Sequence, residues 1–148
     1  MKEPVLIGID AGTSVIKSVA FTADGRQLAA AAIPNAYQTL SDGGAEQDMV
    51  RTWSDTAKTL KQLTEIIPDL PERLVAISVT GQGDGIWLVD AAGEAVAPAW
   101  LWLDARAVKE VEEFTTSEDY AAHYSRTGTG GRSSHFESRG THVNGMRR

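Results

Sequence analysis

Apolar positions first gather in an almost unbroken run, Val5-Leu6-Ile7-Gly8-Ile9, which stops at Asp10. Such a run predicts a buried strand, and the carboxylate marks where the chain must turn. Lys17-Ser18-Val19-Ala20-Phe21-Thr22 predicts a second strand, and Gln27 to Ile33 a third that Pro34 ends. Asp24-Gly25, between them, is a strong hairpin signal. The period then lengthens. From about Asp48 to Ile67, the residues Met49, Trp53, Ala57, Leu60, Leu63 and Ile67 recur at helical spacing. They predict one buried stripe with Trp53 in the core, Asp48 as N-cap and Pro68 as the stop. Leu74 to Val79 predicts a buried, β-branched strand that runs into Thr80-Gly81-Gln82-Gly83-Asp84-Gly85. Ile86 to Val89 and Ala99 to Leu103 predict further strands, the second placing Trp100 and Trp102 on one face.

The first turn concentrates the chemistry. Asp10, Gly12, Thr13, Ser14 and Lys17 lie within eight positions. Gly12 lets the backbone approach a ligand closely. Backbone N–H groups of such a turn, with the Thr13 and Ser14 hydroxyls, suit phosphate oxygens. Asp10 suits Mg²⁺, directly or through its water shell, and Lys17 offsets phosphate charge. Two other phosphate motifs fail: Ile16 stands where a P-loop needs its second glycine, and no Gly-x-Gly-x-x-Gly follows the strand. The structural alternative is a tight hairpin in which Asp10 and Thr13 cap local N–H groups.

The order β-β-β-α-β, with acidic or phosphate-binding groups at strand ends, predicts an α/β domain. Its layout is that of the ribonuclease-H-like, actin-like ATPase folds, with a mixed sheet and ligands outside the strand ends. Three blocks in order then resemble the FGGY carbohydrate kinases. They are Gly8 to Ser14 with Lys17; Gly44-Ala45-Glu46-Gln47-Asp48 leading into the Trp53 helix; and Ser78 to Gln82 followed by Trp100 to Arg106. Within that family, Thr80 to Gly85 with Ala99 to Arg106 is most similar to the kinases of erythritol. The resemblance covers roughly residues 1–129.

It implies ATP and Mg²⁺ as cofactors and transfer of the γ-phosphoryl group to a hydroxyl of a small polyol or ketose. Thr13, Ser14 and Lys17 match phosphate-contacting positions, Asp10 the metal-linked carboxylate, and Gln82, Gly83 and Asp84 the polyol-binding loop. Where glycerol kinases carry Arg then Glu after that Gln, Gly83 and Asp84 stand here, which favours a longer polyol than glycerol. Asp104 and Arg106 match a block near the sugar pocket, with an i,i+2 pair capping the next helix as the alternative. Glu46 and Asp48 read as capping and loop-ordering groups. The family's general base lies beyond its first hundred residues, and its adenine pocket in a second lobe. The expectation is therefore a first lobe only, a fragment not catalytically complete by itself, or a non-catalytic polyol- or phosphate-binding fragment.

Composition narrows the rest. The chain has 148 residues, no cysteine and a net charge of −6. Residues 1–125 hold 9 basic and 19 acidic side chains, whereas 126–148 hold five arginines against Glu137. The domain is thus expected over residues 1–126. Residues 127–148 are expected to form a basic Gly/Arg/Ser tail, disordered or out of frame. An acidic body argues against nucleic-acid partners. It also disfavours a metal-dependent nuclease built on Asp10, Glu46 or Asp48, and Asp84. No apolar run is long enough for a membrane span, and Met1 to Pro4 leave no room for a signal peptide, so a cytoplasmic location is expected. Loss of a second lobe predicts self-association through an exposed apolar surface around Trp100 and Trp102.

Overall fold

The computed structural model describes residues 2–131. In chain order its elements are β1 (Val5–Ala11), β2 (Val15–Thr22), β3 (Gln27–Pro34), β4 (Gln38–Thr39), β5 (Ala45–Gln47), α1 (Met49–Ile66), α2 (Leu70–Arg73), β6 (Leu74–Gly81), β7 (Ala99–Trp100), α3 (Val108–Thr115) and α4 (Asp119–Thr127). They form two compact units. One holds the residues to Tyr37 with Asp48–Gln82, the other Gln38–Gln47 with the residues from Gly83 onward.

The first unit is a four-stranded sheet in the order β3-β2-β1-β6. β1, β2 and β3 are antiparallel neighbours, and β6 returns parallel to β1. The mixed sheet and the β-β-β-α-β order are as expected. The β2–β3 turn closes through Thr22 N–H to Arg26 C=O at 2.9 Å. There Asp24 accepts from the Thr22 hydroxyl, which holds its carboxyl below the usual aspartate range. At the start of α1 the Asp48 side chain accepts from Arg51 N–H at 2.9 Å, so it is the N-cap.

One face of this sheet carries the core: Val5, Ile7 and Ile9 of β1, Ala20 of β2, and Ala29 and Ala31 of β3, against Leu63 of α1. α1 buries only part of the expected stripe: Leu63 lies in the core and Leu60 and Ile67 pack against it. Thr52, Asp55 and Thr59 lie on the buried face with Leu63, and Trp53, 76% exposed, is left on the exposed one. Thr59 Oγ1 donates to Thr56 C=O and meets Ser18 Oγ at 2.7 Å, so the polar atoms buried there are partnered.

β6 also departs from expectation. It reads as buried, yet Val75 to Gly81 are all exposed, because β6 lies at the end of the sheet order and α1 packs on β2 and β3.

The second unit holds a small sheet, β4-β5-β7, and the helices α3 and α4. The predicted strand Ile86–Val89 is reduced to isolated bridges, Ile86 with Trp100 and Val89 with Ala95, and the strand at Ala99 stops at Trp100. Trp102 falls in a turn, half-exposed. α4 ends at Gly128 (φ 70°), whose N–H donates to Tyr124 C=O at 2.8 Å. Of the expected tail, residues 132–148 lie outside the described residues.

Candidate functional site

The first part of the site is built by two parallel strands that end together. The β1–β6 register sets Asp10 beside Thr80 and Ala11 beside Gly81. The turn Gly12-Thr13-Ser14 and Gln82 therefore leave the sheet at the same end, where open α/β sheets bind ligands. Across β1 and β2, Asp10 faces Lys17 directly. Directly opposed residues share a face of the sheet. Both are exposed, and neither side chain has a hydrogen bond or ion pair among the described residues.

The turn is held from behind. Gly12 N–H donates to Val15 C=O at 3.1 Å, and a Cβ on Gly12 would come within 2.9 Å of that same oxygen, so any larger residue must open the turn. Asn35, which sequence reasoning missed, clamps both sides of it. Its Nδ2 donates to Gly12 C=O at 2.9 Å, and its N–H donates to Ser14 C=O at 2.8 Å. The expected local capping by Asp10 and Thr13 is not seen among the described residues; the hairpin is fixed by backbone and by Asn35. Thr13 is half-buried and Ser14 exposed.

This donor set fits Mg²⁺ held with phosphates. A single exposed carboxylate at a strand end, with a cation opposite, suits an ion that keeps most of its waters and shares them with phosphate oxygens. Among the described residues no three His, Cys, Asp or Glu side chains gather into a cage of their own.

Gly83, Asp84, Asp104 and Arg106 belong to the second unit. Asp84 takes a left-handed backbone (φ 57°), uncommon outside glycine but more accessible to Asp and Asn than to most residues. Gly85 follows because nothing larger fits: a Cβ there would lie 2.8 Å from both Trp100 O and Trp87 Nε1. Ile86 and Trp100 exchange N–H···O bonds of 2.8 and 3.0 Å, which fixes the loop's exit.

Asp104 and Arg106 form a packed cluster. The buried Asp104 accepts from Arg106 Nη2 at 2.7 Å, from Arg106 Nε at 3.0 and 3.1 Å, and from Ala45 N–H at 2.8 Å. Arg106 Nη1 donates to Glu46 Oε1 at 3.0 Å, and its guanidinium lies 4.2 Å over the Trp100 ring. The pair does not cap α3, whose N-cap is Ala107 without a side-chain bond. Sixty positions separate Glu46 from Arg106, and no periodicity in the sequence signals their meeting.

Comparison with known proteins then gives four consistent likenesses. The profile of the FGGY family of carbohydrate kinases, N-terminal domain, matches residues 5–138. An erythritol kinase of Brucella abortus is 46% identical over 129 residues, 87% of this chain and 25% of that protein. A xylulose kinase of Streptomyces coelicolor is 35% identical over 109 residues, 72% of this chain and 21% of that one. Among solved structures, the xylulose kinase from Rhodospirillum rubrum superposes with a TM-score of 0.78 at 28% identity, over 85% of this chain and 26% of that chain. The chain spans about a quarter of the length of the relatives it matches.

Proposed function

This chain belongs to the FGGY family of carbohydrate kinases, and from that premise we propose that it is the N-terminal portion of an ATP-dependent kinase of a small, erythritol-like polyol or ketose. The observation that carries the reading is the shared end of β1 and β6, where Asp10, Lys17, the Gly12–Ser14 turn and Gln82 meet. In this reading the turn's N–H groups and the Thr13 and Ser14 hydroxyls bind nucleotide phosphates. Lys17 balances their charge, and Asp10 orients the water shell of Mg²⁺. When bound, Mg²⁺ supplies neutralisation of phosphate charge, the main demand of phosphoryl transfer. Gln82, Gly83 and Asp84 bind the acceptor polyol: a carboxylate accepts from vicinal hydroxyls, and such a site rejects analogues that lack them. Asp104 and Arg106 match the block that the resemblance associates with sugar binding, with Asp104 orienting the guanidinium. A cytoplasmic location goes with ATP as donor.

Isothermal titration of the 148-residue chain with Mg·ATP, then with erythritol, tests this, beside a coupled ADP-release assay. Mg·ATP binding weakened about tenfold or more by Lys17→Ala is expected, the size of one charge-assisted contact. Binding without ADP release fits a non-catalytic fragment; ADP release would show that these residues suffice for turnover. A chain that binds neither Mg·ATP nor erythritol would overturn the reading.

A further inference from the structure

We propose that Asn35 is a positioning residue for nucleotide phosphates: it holds the Gly12–Ser14 turn in its ligand-accepting shape before any phosphate arrives. This inference rests on the reading of that turn as the phosphate site. Asn35 directly follows β3 and is buried, 9% exposed. Pro34 before it has no N–H to give, so the first donor past the end of β3 is the backbone of Asn35. That N–H donates to Ser14 C=O at 2.8 Å, one step beyond the Val15–Pro34 pair at the end of the β2–β3 register. The side-chain Nδ2 donates to Gly12 C=O at 2.9 Å. One residue thus takes both the first and the last carbonyl of the Gly12-Thr13-Ser14 turn.

The orientation of the Asn35 amide is itself fixed. Oδ1 accepts from Ala36 N–H at 3.0 Å, so the acceptor end is taken and Nδ2 is the end that faces the Gly12 carbonyl.

The consequence falls on the donors a phosphate meets. The described residues hold no cis peptide bond, so Gly12 C=O and Thr13 N–H share one trans plane and point in opposite directions. Bonding that carbonyl to Asn35 turns the Thr13 N–H away from Asn35. Gly12 N–H is itself turned inward, to Val15 C=O at 3.1 Å, so the turn's backbone donors for a ligand begin at Thr13. Glycine admits backbone conformations closed to other residues, and the Gly12–Thr13 peptide therefore rotates easily unless something holds it. Asn35 holds it from a buried position. A donor aimed before binding needs less ordering when the ligand arrives, which is how preorganisation raises affinity.

Titration of the chain with Mg·tripolyphosphate, which carries the phosphates without the nucleoside, reads this directly. The wild-type chain is expected to bind, and Lys17→Ala to weaken that binding. Asn35→Ala removes the donor. Asn35→Asp sets an acceptor against the Gly12 carbonyl while keeping the shape of the side chain, and so serves where alanine does not fold. Each is expected to weaken binding about tenfold or more. In the ligand-free chain, relaxation dispersion is expected to show μs–ms exchange at the Thr13 and Ser14 amides in both Asn35 variants and none in wild type. Thr59→Val, which weakens the α1–sheet contact at Ser18, is expected to stay within about twofold of wild-type affinity and to show no such exchange. Circular dichroism of each variant confirms the fold. Failure of the wild-type chain to bind would overturn the phosphate reading and the proposal with it. Binding that Lys17→Ala weakens and the folded Asn35 variants leave unchanged would overturn the proposal alone. The same holds for affinity lost without exchange at Thr13 and Ser14, or for an equal loss in Thr59→Val.

Discussion

The carboxylate of Asp104, fully buried, grips the guanidinium of Arg106 two positions on, 2.7 Å from Nη2 and 3.0 Å from Nε. The same carboxylate accepts from Ala45 N–H, so one ionised group ties β5 to the segment after β7. Breaking a buried pair from one side leaves the other charge without its partner, which costs more than the pair contributes net. Arg106→Ala is therefore expected to destabilise the chain by about 3 kcal/mol in urea unfolding. The double variant D104A/R106A should cost clearly less than the sum of the two single variants.

The Ser18–Thr59 contact gives a smaller but cleaner effect. Thr59→Val leaves the buried Ser18 hydroxyl without its partner at the α1–sheet interface and is expected to cost about 1–3 kcal/mol. Adding Ser18→Ala should recover part of that loss, measured by thermal or urea unfolding.

Asp84 separates backbone strain from binding. With φ at 57°, Asp84→Gly is expected to match or exceed wild-type stability, whereas Asp84→Ala should be less stable by about 1 kcal/mol. If the carboxylate binds polyol as proposed, both variants lose erythritol affinity in titration, and stability and binding then move independently.

Asp55 supplies a pH dependence with a definite sign. The Lys58 ammonium at 2.7 Å, with Arg51 at 3.4 Å, holds its carboxyl below the ordinary aspartate range. A carboxyl depressed in the folded state adds stability that is fully present above the ordinary aspartate value. That stability is lost as pH falls through the depressed one. Wild type and Asp55→Asn are thus expected to differ in stability most near neutral pH. Their unfolding midpoints should converge on acidification.

The hairpin half of the candidate site was readable because its parts are local. Asp10, Gly12, Thr13, Ser14 and Lys17 fall within one hairpin, eight positions long, and their residue types suggest their chemistry. The three strands, the Asp48 cap and the end of the helix near Pro68 were legible for the same reason. What failed was long-range. Trp53 satisfies the helical period as well as any core residue, but the buried face carries Thr52, Asp55 and Thr59 with Leu63 and leaves Trp53 exposed. β6 has the composition of an interior strand, but whether it is covered depends on what packs against it.

Local composition and spacing by themselves determined which segments extend, where they turn, and that a carboxylate, two hydroxyls and a lysine converge on one hairpin. Strand propensity, capping and turn geometry act over a few residues, so they can be read in order along the chain. Only the tertiary structure decided which helix face is buried, that β6 returns parallel to β1 and ends with Gln82 beside the Gly12–Ser14 turn, and that Glu46 and Trp100 meet Arg106. Those outcomes depend on the size and polarity of partners far away in sequence, which no local pattern encodes.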